Sequence, residues 1–199
     1  VAPGLGNSRA DRGKATFTHT QRQGPEYDWY NNTPMFRYNA YFGIHTVYYM
    51  DLVEQYGQQP LPMNNIVWAA LQTVLAKGLA GKSRAMVMNL WTQQLLNKLS
   101  NLKFLAYVGA DGYPAIIPVI QAQALDSTRI VLSTFVYGDE LAAIPGGANV
   151  AVLGMSLDME DVLMRGPFEI RRVGGVRCGV VSVNWVYSPM PPKPQQIYP

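Results

Sequence analysis

Apolar residues recur every three or four positions between residues 66 and 99, and this spacing predicts two helices. The first covers 66–77, and its large apolar side chains share one face: Val67, Trp68, Leu71, Val74 and Leu75. The second covers about 84–99 and carries a similar stripe: Met88, Trp91, Leu95 and Leu99. Stripes of this kind usually belong to a protein core, so we expect both to be buried. A further helix is predicted over 43–56, before Gly57 and Pro60.

The pattern changes at Lys103, where short β-rich runs alternate with turn residues about every ten positions. Six strands are predicted, over 103–109, 113–124, 129–136, 149–156, 162–172 and 176–187. Asp111-Gly112 has the composition of a type I′ hairpin turn, and Gly174-Gly175 is a second tight turn. Six antiparallel strands joined in this way can close into a small barrel, which removes exposed edges. The fold class is therefore expected to be mainly β, with N-terminal helices.

The two ends of the chain differ from this central part. Residues 1–60 form a polar and then aromatic-rich segment, which we interpret as an arm that packs on the body or on other protein subunits. Residues 61–102 are predicted to be helical and residues 103–188 to form the barrel. The last segment, 189–199, contains five prolines and is interpreted as an extended strap.

Charged residues make up only 15% of the chain, against about 25% in ordinary soluble domains. Either neutral polar residues such as Asn, Gln, Ser and Thr cover the surface, or much of it is buried against another subunit. We expect the second, a homodimer or a larger oligomer. The sequence lacks the continuous basic stripe that is typical of nucleic-acid binding, so no nucleic-acid partner is expected. No apolar run is long enough to predict a membrane span. No signal peptide is recognisable, and we expect a cytoplasmic protein; because the chain starts at Val1, processing or truncation stays open.

Familiar catalytic motifs are missing from the sequence. There is no nucleophile elbow, P-loop, dinucleotide-binding glycine motif, zinc-protease motif or Cys pair. Two histidines, His19 and His45, and one cysteine, Cys178, exclude a histidine-rich or cysteine-based metal site, so no metal is expected. Cys178 lies in an apolar run and is interpreted as an inert core thiol. The catalytic residues are therefore not identified from these patterns.

The order of elements from residue 90 to residue 187 resembles the pyridoxamine 5′-phosphate oxidase-like family, the FMN-binding split barrels. A helix over 90–99 leads into a strand over 104–108 and a hairpin over 109–114. Further strands follow at 115–119, 130–134 and 149–152, and then at 162–168 with its central Gly166. Each piece is weak alone, and the ordered set carries the resemblance.

The resemblance implies a six-stranded split barrel that binds FMN at a homodimer interface and acts as an oxidoreductase on an unknown substrate. When the family's arrangement is mapped onto this sequence, the flavin ring is expected near Ile116, Ile117, Pro118 and Val119. Ser133 and Thr134 then approach the phosphate.

The sequence departs from the family at the phosphate. The family often has Lys or Arg after the third strand, whereas this chain has Asp139 and Glu140, which repel a phosphate dianion. A cation can come instead from Arg84, Lys98 or Lys103, or from the partner chain. The alternative is a cofactor-free split barrel that serves as a structural or assembly subunit. A third interpretation is a barrel that holds haem or a deazaflavin, with His45 as the haem candidate.

Overall fold

The computed structural model describes residues 9–37, 43–60, 63–78, 85–156, 158 and 160–188. The chain divides into two compact units, one of Asn7–Leu61 and one of Pro62–Pro199 together with Val1–Gly6. The strap predicted over 189–199 lies outside the described residues, as does Arg84, one of the candidate phosphate-binding cations.

The first unit is built on a two-stranded antiparallel ribbon. Strand β1 (Arg9–Gln21) pairs with strand β2 (Val47–Pro60), and helices α1 (Pro25–Asn31) and α2 (Pro34–Arg37) lie between them in the chain. The helix predicted over 43–56 is therefore wrong. Its aromatic and β-branched residues favour an extended backbone as well, and pairing with β1 satisfies the backbone hydrogen bonds.

Among its described residues, the second unit contains two longer helices, one short helix and eight strands. They are α3 (Met63–Gly78), α4 (Leu90–Asn97), β3 (Leu102–Val108), β4 (Pro114–Pro118), β5 (Gln123–Ala124), β6 (Arg129–Ser133), α5 (Gly138–Ala142), β7 (Asn149–Met155), β8 (Asp161–Val173), β9 (Val176–Ser182) and β10 (Trp185–Tyr187). Two of the six predicted strands are interrupted, so 113–124 gives β4 and β5, and 176–187 gives β9 and β10. The fold is mostly β and antiparallel, as expected, but the strand number of six is wrong.

The sheet follows the order β4-β3-β7-β8-β9-β6-β5, with β10 paired to β8. This hydrogen-bonded path does not close, since β4 and β5 lie at its two ends. Strand β8 joins two halves: it pairs with β7 as far as Pro167 and with β9 from Phe168 onward. Proline has no backbone N–H, which suits the point where β8 changes its partner.

The two predicted tight turns differ in type. Gly174 and Gly175 have φ angles of 55° and 82°, as the two central residues of a type I′ turn require. At the other turn Gly112 has a φ of 79°, whereas Asp111 is not in the positive-φ region. The type I′ prediction for Asp111-Gly112 is therefore wrong. The Gly112 N–H donates to the Gly109 carbonyl at 3.0 Å, and the Asp111 carboxylate accepts from the Tyr113 N–H at 3.1 Å.

Helix α4 begins later than the predicted helix over 84–99. Its N-cap is Asn89, whose side-chain oxygen accepts from the Thr92 N–H at 2.8 Å. Met88 and Leu95 of the predicted stripe are buried in the main core. Trp91 is half-buried against that core, and Leu99 is exposed, so the stripe is only partly buried as expected.

Helix α3 confirms the helix predicted over 66–77, but the expectation that its large apolar side chains are buried is wrong. Its large apolar face is exposed: Val67, Trp68, Leu71, Val74 and Leu75. The opposite face is buried and smaller: Ile66, Ala69, Ala70 and Thr73. The helix packs on β6 and β9. Small side chains let a helix approach a sheet closely, and this explains why the less apolar face is the buried one.

Candidate functional site

The predicted phosphate residue Ser133 lies at the end of β6, buried beneath α3. Its hydroxyl donates to Gln72 Oε1 at 2.8 Å, and the same oxygen accepts from the Phe135 N–H at 3.2 Å. The Ser133 N–H donates to Thr73 Oγ1 at 3.2 Å. Both the hydroxyl and the backbone N–H of Ser133 are therefore engaged within the protein.

The second predicted phosphate residue, Thr134, faces a different neighbour. Its hydroxyl donates to the backbone carbonyl of Arg177 in β9 at 3.1 Å. Thr134 is half-buried, so the two adjacent residues do not present their hydroxyls together. A phosphate cradle needs convergent donors, and here Ser133 and Thr134 donate to separate acceptors.

The turn after β6 adds negative charge rather than positive charge. Tyr137 adopts the left-handed conformation with a φ of 57°, and α5 then begins with Gly138, Asp139 and Glu140. Asp139 is exposed. A phosphate dianion beside these carboxylates is repelled. The residues present at Ser133 and at this turn therefore do not fit the phosphate of FMN.

Only one of the four predicted ring residues reaches the surface. Ile116, on the terminal strand β4, is 46% exposed. Ile117, Pro118 and Val119 are buried, and the Val119 N–H donates to the Lys103 carbonyl at 2.8 Å. A flat ligand on the outside of the sheet could reach Ile116 but not the side chains of the next three residues.

Two buried polar side chains lie beside this region. Lys103 is fully buried, and its Nζ donates to the Ile120 carbonyl at 2.8 Å. Burial lowers the pKa of Lys103 to about 7, because an ammonium group loses its hydration there. Gln121 donates through Nε2 to the Ser133 carbonyl at 3.2 Å, while its Oε1 has no hydrogen-bond partner among the described residues. The Lys103 Nζ is enclosed in the core and bound to the Ile120 carbonyl, so it is not exposed to a phosphate at the surface.

The remaining candidates from the sequence show no catalytic arrangement. His19 stacks on Tyr49 with ring centroids 4.5 Å apart, and exposed His45 contacts the Thr46 hydroxyl at 2.8 Å. Burial raises the pKa of the Cys178 thiol to about 11, so this cysteine is a poor nucleophile. Within the described ranges, His, Cys, Asp and Glu side chains form no group of three that could hold a metal ion.

Gln72 is the residue of this region that sequence analysis missed. It reaches Ser133 across 61 positions of the chain. The available signal was local: Gln72 and Thr73 are adjacent polar residues within the stretch 66–76 of α3, which is otherwise apolar. Such an interruption predicts a polar contact but does not identify its partner.

Comparison with solved structures gives a coarse likeness over half of the chain. The structure of HupZ from Group A Streptococcus is 17% identical with a TM-score of 0.44, covering 52% of this chain and 94% of that one. A putative pyridoxamine 5′-phosphate oxidase from Lactobacillus delbrueckii is 16% identical with a TM-score of 0.40, covering 52% and 96%. A likeness of this degree transfers no function.

No family profile and no curated protein sequence matches the chain. In the described part of the chain, none of the helices has the length and apolar character needed to cross a membrane.

Proposed function

We propose that this chain is a split-barrel assembly subunit that works without a flavin and self-associates through the apolar face of α3. The observation that carries the proposal is the orientation of this helix. One side of α3 covers Ser133, the residue expected at a flavin phosphate. The other side exposes large apolar side chains, with Trp68 at 55% and Leu75 at 67% exposure. A single helix thus closes the predicted cofactor position and presents a surface for protein contact.

The chemistry of this face favours a second copy of the same chain as its partner. Lys77 is the one charged residue in the sequence of α3, so a partner with complementary charges finds little to pair with. A two-fold axis places the face against itself, apolar against apolar, without opposing like charges. The charged fraction of 15% for the whole chain is consistent with a permanent, charge-poor interface.

Leu71→Glu is expected to convert a dimer into a monomer. Leu71 lies in the middle of the apolar face, and an unpaired carboxylate buried there costs several kcal/mol, which weakens association at least about 100-fold. Light scattering should give the wild type twice the 22.1 kDa chain mass and the variant the single chain mass.

The matched control is Val108→Glu, at the end of β3, where the wild-type side chain is 68% exposed. This variant introduces the same charge away from α3 and should keep the dimer mass. A monomeric wild type, or a Leu71→Glu variant that remains dimeric, contradicts the proposal.

The second candidate function is an FMN-dependent oxidoreductase with the cofactor at a homodimer interface and an unknown substrate. It is favoured by the observed order of β3, β4, β6, α5, β7 and β8, the order on which the family resemblance rests. Under this candidate the ring lies along 116–119, and Ser133 and Thr134 turn toward the phosphate. FMN itself supplies the redox chemistry, and the protein's part is to bind and orient it.

Absorbance separates the two candidates. After incubation with FMN and removal of unbound ligand, the protein is expected to show no flavin band at about 450 nm. A retained flavin near one per chain, lost in Thr134→Val and kept in Thr128→Val, contradicts the flavin-free proposal and supports the second candidate. Thr128 is the control because its hydroxyl donates to Asp126 at 2.9 Å, away from Thr134.

A further inference from the structure

Helix α3 is attached to its sheet by few and mostly small side chains. Its buried face consists of Ile66, Ala69, Ala70 and Thr73, and the three apolar members of this face belong to neither of the two apolar clusters that the described residues form. Small side chains remove little apolar surface from water, so docking of α3 gains little hydrophobic free energy. We propose that α3 is a releasable cover, and that self-association through its outer face holds it closed. The proposal rests on the function proposed above.

Hydrogen bonds attach the middle of α3 to the end of β6. Gln72 Oε1 accepts from the Ser133 hydroxyl at 2.8 Å, and Thr73 Oγ1 accepts from the Ser133 N–H at 3.2 Å. Near the end of the helix, Lys77 Nζ donates to Asn97 Oδ1 at 3.3 Å. Water replaces such bonds when the groups separate, so each contributes little net free energy to the closed position.

An unsatisfied polar atom at the same edge of β6 makes the closed state less favourable. Gln121 is fully buried, and its Nε2 donates to the Ser133 carbonyl at 3.2 Å. The N–H and C=O of one strand residue point to the same edge, so Gln121 and Thr73 meet Ser133 on the same side. Gln121 Oε1 has no hydrogen-bond partner among the described residues. A buried acceptor without a partner costs free energy, and water that enters when α3 is released removes this cost.

The thiol of Cys178 lies under the same cover. Cys178 is directly opposite Ser133 in the β6–β9 register, so the two side chains share one face of the sheet. The Ser133 hydroxyl meets α3 on this face, and α3 packs on both strands. Cys178 is fully buried in the closed state. Release of α3 therefore exposes a native thiol, whose reactivity reports the open state.

Self-association through the outer face of α3 opposes its release. Trp68, Leu71 and Leu75 lie on that face, so in a dimer α3 is enclosed between its own sheet and the helix of the second copy. In a monomer the same side chains face water. A partner that binds only the closed state shifts the equilibrium toward it, and by linkage the release of α3 weakens association.

The test is the rate at which Cys178 in the full chain reacts with an excess of the thiol reagent dithiobis(nitrobenzoate). Gln72→Met/Thr73→Val removes both acceptors of the Ser133 hydrogen bonds at similar side-chain volume, and should raise the rate at least about 10-fold. The matched control is Gln93→Met, which removes the hydrogen bond from Gln93 Nε2 to the Met88 carbonyl in α4. Its rate should stay within about twofold of the wild type.

Protein concentration provides the second arm of the test. The wild-type rate should fall at least about fivefold as the concentration rises through the range in which light scattering shows dimer formation. Leu71→Glu should keep the fast rate at every concentration, and Val108→Glu should follow the wild type. A rate that does not depend on concentration in a protein that dimerises overturns the coupling between self-association and closure.

Urea separates release of α3 from global unfolding, which also exposes the thiol. Release of one helix exposes little surface, so the logarithm of the rate should depend on urea much more weakly than global unfolding does. The cover is overturned if this dependence equals that of global unfolding, or if the double variant reacts at the wild-type rate. Gln72→Met alone repeats the measurement if the double variant does not fold. A wild type that is monomeric at every concentration refutes the proposed function, and the double variant then still decides whether α3 is a cover.

Discussion

Gly166→Ala is expected to destabilise the second unit strongly. A Cβ atom at this position would lie 1.9 Å from the Ser182 carbonyl oxygen and 2.7 Å from its carbon. Both are backbone atoms at the end of β9, so no side-chain rotation relieves the clash. Gly166 directly precedes the point where β8 changes its partner, and the two halves of the sheet must shift to admit a methyl group. We expect a loss of more than about 4 kcal/mol from a total of roughly 5–15 kcal/mol.

Gly138→Ala is the matched control for this substitution. No atom lies within 4 Å of a Cβ built at Gly138, which is the first residue of α5. Its free energy of unfolding, measured by urea titration and circular dichroism, should stay within about 0.5 kcal/mol of the wild type. A Gly166→Ala protein that unfolds at the wild-type urea concentration contradicts the close approach of β8 and β9.

The stability of the second unit is expected to rise by about 2–3 kcal/mol between pH 7 and pH 9. The cause is Lys103, whose pKa burial lowers from 10.5 to about 7 in the folded chain. Above pH 7 the folded state releases this proton while the unfolded state still holds it. The unfolded state then binds more protons, so the free energy of unfolding increases with pH. Above about pH 9 the thiol of Cys178 opposes the trend, because burial raises its pKa to about 11.

Lys103→Met tests this assignment because methionine fills a similar volume without an ionisable group. The slope of the free energy of unfolding against pH, measured by urea titration at pH 7, 8 and 9, should be positive for the wild type and close to zero for the variant. Lys98→Met, at an exposed position in the same unit, should retain the wild-type slope. An unchanged slope in Lys103→Met shows that a different group causes the pH dependence.

The approximate positions of most strands in the second unit could be predicted because their signals are local. The Gly174-Gly175 turn and the alternation on both sides of it depend on neighbouring residues alone, and both are present in the structure. The segment 43–56 was misassigned because its apolar residues fit either a helix or a strand. What decides between them is the pairing of β2 with β1, more than twenty residues earlier in the chain.

The orientation of α3 and the surroundings of Ser133 could not be predicted from local pattern. Hydrophobic periodicity identifies the apolar face of a helix but not the surface that covers it. Here Ala69 and Ala70 face the sheet because small side chains allow a close approach, and Trp68 is left outside. The same packing brings Gln72 into contact with Ser133. The two residues are far apart in the sequence, so the residues next to each of them do not predict the contact.

Disulfide formation through a cysteine placed on α3 tests most directly whether two copies of the chain associate through the apolar face of this helix. The native Cys178 is buried and its pKa is raised, so an introduced thiol reacts selectively. In a dimer formed through α3, Leu71 lies near the two-fold axis, where two Cα atoms can approach within about 7 Å. Oxidised Leu71→Cys is expected to run on a non-reducing gel at twice the 22.1 kDa chain mass, with Val108→Cys remaining at the single mass. If Leu71→Cys stays monomeric, or cross-links no faster than Val108→Cys, the face of α3 is not where the copies meet.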